Sequence, residues 1–468
     1  MDSLTIKGIR EGLKGRRFSA KELSDFYFKK IEKEDSELGC YLELAKETAL
    51  NQADKIDNLI SEGLDIPSLA GVPVAVKDNI LVEGLKSTAS SFMLKNYISP
   101  YDASCVKRIK EEGAVVLGKT NLDEFAMGSS TENSAFKTTK NPKDKSRVPG
   151  GSSGGSAAAV SAGLCCCALG SDTGGSIRQP ASFCGVFGLK PTYGAVSRYG
   201  LIAFASSLDQ IGPLAKNAED AKILFNAIKG KDKKDSTSIE MEENGEIDFK
   251  KLKIGIPKEY FGSEAKKGIE REVVSAIESA IKKIEDMGGR VEEISLPNTK
   301  YALSVYYMVS TCEASCNLAR YDGIKYGLSE KGENLSEVYF NTRAKGFGAE
   351  VKRRIMLGTF ALSSGYYDAY YLKSQKVRTG IKEDFEKSFK KVDAIFTPVS
   401  PTVAFKIGEK TQDPLSMYLS DIFTISANLA GIPALSVPLK TKGLPVGLQI
   451  LGNYFEESKL FQIAKLLE

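Results

Sequence analysis

The sequence predicts an α/β protein: one large domain, 1–468, with a central mixed β-sheet covered by helices on both faces. Three observations carry this expectation. Short apolar runs of strand length recur along the chain, among them VPVAVK, AVVLG, KIGIP, DAIFTP, PALSVP and GLQILG. Stretches with apolar residues at helical spacing lie between them. No internal repeat divides the chain, and large single α/β domains reach this length.

Taken in order, residues 1–65 read as amphipathic helices. Ser19 and Glu22 form a capping box ahead of Leu23, Phe26, Phe28 and Ile31. GVPVAVKDNI reads as a buried strand ending at Lys77. Asp102 is placed to cap a helix through Val106 and Ile109 that stops at Gly113, and AVVLG is the next strand. Ser153–Ala162 is alanine-rich and helical, Leu164–Gly170 is strand-like, and Gly174–Ala181 opens another helix. Residues 230–252 form the most polar stretch, read as a surface excursion rather than a boundary. KIGIP, a helix around Val273, Ile277, Ile281 and Ile284, and GGRVEEISLP make a strand–helix–strand unit. A helical region rich in Tyr and Arg (about 301–390) follows. Three more strands and a helix from Glu456 close the chain.

Composition removes several function classes. Hydrophobic residues make up 42% and charged residues 26%, ordinary values for a soluble globular protein. A net charge of +4, scattered along the chain, gives no nucleic-acid surface, although contact with RNA through a partner stays open. The N-terminus lacks the apolar core of a signal peptide, and no run of ~18 uncharged apolar residues occurs, so a cytoplasmic location without membrane contact is expected. Eight cysteines without CxxC, in a chain with no histidine, do not suit a zinc site. No metal is expected, and Cys165, Cys166 and Cys167 read as buried reduced thiols.

The chemistry concentrates between Pro149 and Pro180, PGGSSGGSAAAVSAGLCCCALGSDTGGSIRQP. Two glycine-serine turns, Gly150–Ser156 and Asp172–Ser176, flank an apolar stretch. Glycines let backbone amides approach a ligand, and a helix starting after such a turn adds the positive end of its dipole. Both suit a phosphate or the oxyanion of acyl transfer. Without an imidazole a Ser-His-Asp triad is excluded, and a serine nucleophile would need another base, lysine being the obvious candidate. GAVVLGKT (113–120) satisfies the phosphate-loop pattern, but Ala, Val, Val and Leu are strand-interior residues and Gly113 reads as a helix stop. A nucleotide site is not expected there.

GGSSGGSAA, then GSDTGGSIRQPASFCG, with the upstream VAVKDN, closely resembles the amidase signature family. The resemblance implies a Ser–cis-Ser–Lys triad: Ser176 as nucleophile, Ser152 as bridging serine and Lys77 as base. The peptide N–H groups of Thr173, Gly174, Gly175 and Ser176 would form the oxyanion hole. Each role suits its residue. Ser176 closes a turn at a helix start, burial at a strand end lowers a lysine's pKa, and a serine hydroxyl both donates and accepts. The choice of Ser152 over Ser153 rests on the resemblance alone.

Segments 306–327, 346–378 and 413–438 extend the resemblance over essentially the whole chain, towards the glutaminase components of amidotransferases that act on glutamyl-tRNA(Gln) or aspartyl-tRNA(Asn). That branch implies free glutamine as substrate. Arg354 would clamp its α-carboxylate, Asp421 would pair with its α-ammonium and Tyr306 would line the pocket. Arg354 could instead be a helix-face charge beside Lys352 and Arg353, and Asp421 a helix cap. The branch also implies a heterotrimer. No cofactor belongs to this chain; ATP and magnesium are used by a B subunit that holds the charged tRNA, and a small C subunit wraps the pair. The alternative is a free-standing amidase acting on another small or aryl amide. The chain stops at Glu468 within a helical pattern, short of the end this resemblance would suggest.

Overall fold

The computed structural model describes residues 4–242, 245, 247–262 and 266–468. Its apolar runs join into one sheet that contains eleven strands among the described residues. In chain order these are β1 (Tyr41–Leu44), β2 (Pro73–Lys77), β3 (Val115–Thr120), β4 (Cys167–Asp172), β5 (Phe187–Lys190) and β6 (Gln210–Ala215). The second half supplies β7 (Lys253–Pro257), β8 (Arg290–Ile294), β9 (Ala394–Pro398), β10 (Ala434–Leu439) and β11 (Val446–Leu451). Across the sheet they run β1-β3-β2-β4-β6-β5-β10-β11-β9-β7-β8. β2 lies parallel to both β3 and β4, and β7 is parallel to β8 and β9, while β4/β6, β5/β10 and β10/β11 are antiparallel. The sheet is mixed, as expected.

Helices cover it because their buried stripes have nowhere else to go. Ile6 and Leu23 from the N-terminal helices pack in one core with Val74, Val115 and Ile277. A second core gathers Met93, Phe125, Tyr306, Val351 and Ile425. β2 and β4 are buried along their whole length, which is why they read as nearly continuous apolar runs and not as alternations.

Several local expectations hold in detail. The Glu22 amide donates to Ser19 Oγ (3.0 Å) and the Ser19 amide to Glu22 Oε2 (2.8 Å), so the capping box is complete. Gly113 has φ +84° and closes the turn after the helix Ser104–Glu111. The cysteines are free thiols, Cys165, Cys166 and Cys167 all buried.

Others need correction. The N-terminal segment is not wholly helical: Tyr41–Leu44 forms the edge strand β1, paired antiparallel with β3. Four residues give too short a pattern to separate from a helix end. Phe26 is only half-buried, and Tyr27 takes the core position beside Phe28. Asp102 caps nothing; its carboxylate accepts from the Glu83 amide (2.8 Å) and from Lys110 (2.8 Å), and the following helix has no side-chain cap. The helix expected from Gly174 begins at Arg178, and the strand expected from Leu164 begins at Cys167. Of the polar stretch 230–252, residues 243, 244 and 246 lie outside the described residues. Its first part is tied down, with Asp232 accepting from Ser104 and Ser197.

The phosphate-loop letters fall on a strand. Val115–Thr120 is buried throughout, and Lys119 Nζ lies 2.8 Å from Ser87 Oγ and 3.3 Å from Asp78 Oδ1. That lysine is an internal counter-ion rather than a phosphate ligand. Removing one partner of a buried pair leaves an uncompensated charge. Lys119→Met should therefore lower the unfolding free energy by about 3–5 kcal/mol in urea titrations. A midpoint equal to that of the parent would mean Asp78 is neutral in the fold.

Candidate active site

The site assembles where β2 and β4 end side by side. Lys77 is the last residue of β2, and neighbours on both sides bury it completely. Its Nζ lies within hydrogen-bond distance of Ser152 Oγ (2.8 Å), Ser153 Oγ (2.8 Å), Ser171 Oγ (2.9 Å) and the Ser171 carbonyl (3.2 Å). Burial lowers its pKa to about 7, against the pull of Asp123, Asp172 and Asp209.

Ser152 is presented by a loop in which the Gly151–Ser152 peptide bond is cis. A side chain at position 151 would begin 2.1 Å from Asp123 Oδ2, so only glycine fits. Asp123 accepts from the Thr131 (2.8 Å) and Asn133 (3.1 Å) amides, which holds the loop beneath Gly151. Gln179 ties the same loop to the helix Arg178–Cys184 by accepting from the Gly151 amide (2.9 Å).

The DTGGS turn is built around Asp172. Its carboxylate accepts from the Gly175 (2.9 Å) and Ile177 (3.0 Å) amides, from Asn428 (2.9 Å), and from Arg178 Nε (3.1 Å) and Nη2 (3.0 Å). Burial opposes its charge, but the guanidinium and these donors hold the carboxyl well below the usual carboxylate range. The turn is tied to the serine loop by the Ser153 amide, which donates to the Ser176 carbonyl (3.0 Å). Ser176 is 8% exposed, whereas Lys77 and Ser152 are wholly enclosed, so Ser176 is the member that faces outward.

Of the expected oxyanion donors, Gly175 needs correction. Its amide is turned onto Asp172, which leaves those of Thr173, Gly174 and Ser176 as candidates. Gly175 is required for its conformation instead: φ is +138°, and a side chain there would start 2.3 Å from Thr424 Oγ1. Thr173 is held by its hydroxyl on Asp209 (2.7 Å).

Beyond the turn lies a polar wall. Tyr306 covers Gly174, where a Cβ would lie 2.6 Å from the phenol oxygen. The Tyr306 ring meets Tyr307 edge-on at 5.1 Å, and Tyr307 and Tyr418 stack at 4.0 Å. The Arg354 guanidinium sits 5.3–5.5 Å from the rings of Tyr307, Tyr418 and Phe204 and donates through Nε to Glu350 (2.8 Å). At 3% exposure Arg354 is no helix-face charge. Asp421 is not a cap either. One carboxylate oxygen accepts from Ser129 Oγ, and Oδ1, with no partner among the described residues, lies 3.4 Å from where a Gly175 side chain would start. Burial pushes Asp421 up to about 7. A cleft of about 110 Å³ reaches Arg354 between Ser130, Glu350, Lys410 and Tyr418.

All nine residues singled out from sequence thus line one connected region. Sequence reasoning assigned no role to Asp172, Arg178, Ser171, Asp123, Ser129 or Glu350. Two had a visible signal: Glu350 stands four residues before Arg354 on one helix, and Asp172 opens an Asx-type turn.

The amidase family model matches residues 22–461. The chain is 57% identical to the A subunit of glutamyl-tRNA(Gln) amidotransferase from Carboxydothermus hydrogenoformans, over 99% of this chain and 96% of that protein. The Koribacter versatilis counterpart is 55% identical, over 99% and 98%. Among solved structures, the same component of the Thermotoga maritima glutamyl-tRNA(Gln) amidotransferase superposes with a TM-score of 0.80 at 44% identity, covering 100% of this chain and 94% of that one. A bacterial aryl acylamidase, at 22% identity and a TM-score of 0.85, shares the fold. The chain belongs to the amidase family.

Proposed function

We propose that this chain is the glutaminase component of a tRNA-dependent amidotransferase, in which Ser176, Ser152 and Lys77 hydrolyse free glutamine to glutamate and ammonia. The observation that carries the reading is a fully buried lysine, its pKa lowered to about 7, with Nζ 2.8 Å from the serine beside the nucleophile's turn. The similar glutamyl-tRNA(Gln) amidotransferase A subunits suggest the substrate of the complex.

Ser176 Oγ attacks the side-chain amide carbon while its proton passes to Ser152 Oγ, whose own proton moves to the Lys77 lone pair. Ser153 is unsuited to this relay because its proton is committed to the Ser171 carbonyl (3.0 Å). The carbonyl π electrons collect on oxygen, facing the Thr173, Gly174 and Ser176 amides. On collapse the C–N bond breaks, the proton returns through Ser152 to the leaving nitrogen, and ammonia departs. Water then cleaves the γ-glutamyl ester by the same relay. Arg354 offers its terminal N–H groups to the α-carboxylate of glutamine. Asp421 offers its unpaired oxygen to the α-ammonium, whose charge favours the ionised carboxylate.

The ammonia goes to a B subunit that uses ATP and magnesium to activate the mischarged glutamate of Glu-tRNA(Gln), or aspartate of Asp-tRNA(Asn). A small C subunit completes a cytoplasmic heterotrimer. Ammonia release and acceptor activation are then separate chemistries on separate chains.

Ser176→Ala should abolish glutamine-dependent amidation, while the assembled complex still amidates charged tRNA with free ammonium. Loss of both in a folded variant would contradict the division of labour.

Lys77 is the base only when neutral, so kcat/KM for glutamine hydrolysis should rise as the pH passes upward through about 7 and then level off. Lys77→Arg keeps a charge that cannot be released. Its activity should fall at least a hundredfold at every pH, at the lower end of what general base catalysis contributes. Retention of a tenth of the activity would remove Lys77 from this role.

Arg354→Ala should cost roughly one to two decades in kcat/KM for glutamine, from the loss of a charge-assisted contact. An amide lacking the α-carboxylate should lose far less. Equal losses on both would mean that Arg354 supports the fold, and no loss on either would favour a free-standing amidase.

A further inference from the structure

A neutral lysine amine carries two N–H donors and one lone pair, so its usefulness as a base depends on which way it is turned. Lys77 Nζ faces three hydroxyls and a carbonyl, and only the Ser152 hydroxyl delivers the relayed proton to it. The commitments of the neighbours restrict the choice. Ser153 Oγ donates to the Ser171 carbonyl (3.0 Å), so towards Lys77 it can only accept. Ser171 Oγ accepts from Asn79 Nδ2 at 3.0 Å and lies 2.9 Å from Lys77 Nζ. Together the Asn79 and Lys77 N–H groups fill both of its lone pairs.

Asn79 supplies the second observation. It is 2% exposed, and its Oδ1 has no partner among the described residues, an unfavourable state for a buried amide. Its N–H is nevertheless spent on Ser171.

We propose that Ser171, held by Asn79, is a positioning residue for the base: its hydroxyl oxygen draws one Lys77 N–H away, Ser153 takes the other, and the lone pair is left facing the Ser152 hydroxyl. The inference rests on reading Lys77 as the general base. Neither Ser171 nor Asn79 gives up or receives the relayed proton. The charged groups that bear on Lys77 are Asp123 from the loop after β3, Asp172 at the end of β4 and Asp209 before β6. Each carboxylate is engaged by its own donors, Thr131, Arg178 and Thr173 among them.

The test is the pH profile of glutamine hydrolysis by the assembled complex carrying Ser171→Ala. An amine free to turn its lone pair away should lower the high-pH plateau of kcat about tenfold, less than the roughly hundredfold or more expected on removing the base, because the amine is misdirected and not lost. The acid limb should also move to lower pH, because the ammonium loses an acceptor. KM for glutamine should stay within about twofold, since Arg354 and Asp421 are untouched. Asn79→Ala should shift the plateau in the same direction by less, and it reads the same point if Ser171→Ala does not fold. A lowered plateau with an unmoved limb would make Ser171 merely structural and overturn the proposal. An unchanged or raised plateau would overturn it too, a raised one meaning that Ser171 competes for the lone pair. Lys77→Ala separates the two ideas: if that variant stays active the base assignment fails, and if it is dead while Ser171→Ala behaves as the parent, only the positioning role fails.

Discussion

The rest of the site depends on one buried ion pair, Asp172 with Arg178. Arg178 is fully enclosed and its guanidinium meets five acceptors. Two belong to Asp172, and the others are the Thr424 carbonyl (3.0 Å), Gln449 Oε1 (2.5 Å) and Asn428 Oδ1 (2.6 Å). A guanidinium has five N–H groups, so none is left unsatisfied. Asn428 closes the triangle by donating back to Asp172 (2.9 Å). Such a pair stabilises little against a hydrophobic equivalent, but removing either member would strand the other. What it supplies is position. It joins the helix Arg178–Cys184 to the helix Ile425–Ala430 and to β11, and it shapes the turn that carries Ser176.

The low pKa of Lys77, which suits it to the proposed role of base, comes from the same enclosure. Nothing about a lysine at a strand end lowers its pKa until β3 and β4 flank it and the serine loop closes over it. Desolvation then works against the ammonium more strongly than three nearby carboxylates work for it. The polar neighbours also keep the neutral amine from being an unsatisfied buried group. A proton acceptor near neutrality and a set of oxygens that orient it are two consequences of one burial.

The wall that holds Arg354 and Asp421 follows a different rule. Arg354 keeps its charge in a dry setting because Glu350 neutralises part of it and three aromatic faces surround it. Tyr418 reinforces the arrangement by donating to the same Glu350 oxygen (2.8 Å). Asp421 is treated in the opposite way. It is raised to about 7 with one oxygen unpaired, so it is only partly ionised near neutral pH and a neighbouring cation would draw it fully into the charged form. A zwitterion brings both charges at once.

Much of this was legible in the chain itself. Apolar runs and helical spacing marked most of the strands and helices, because periodicity follows from which faces are buried. The absence of histidine pointed to a serine nucleophile with a lysine base, because residue type limits the available chemistry; which lysine and which two serines came from the likeness of VAVKDN, GGSSGGS and GSDTGGS to the amidase signature family. Other features lay beyond one-dimensional reading. The edge strand β1 is four residues long, and β5 and β6 are identified by partners far away in sequence. That the Gly175 amide turns onto Asp172, that Ser153 spends its proton on Ser171, and that Asp421 meets Ser129 across 292 residues are matters of direction in space. Residue types determined which chemistry was available. The packing of β2, β4 and the glycine turns decided which donor faces which acceptor, because burial and hydrogen-bond direction exist only once distant segments have met.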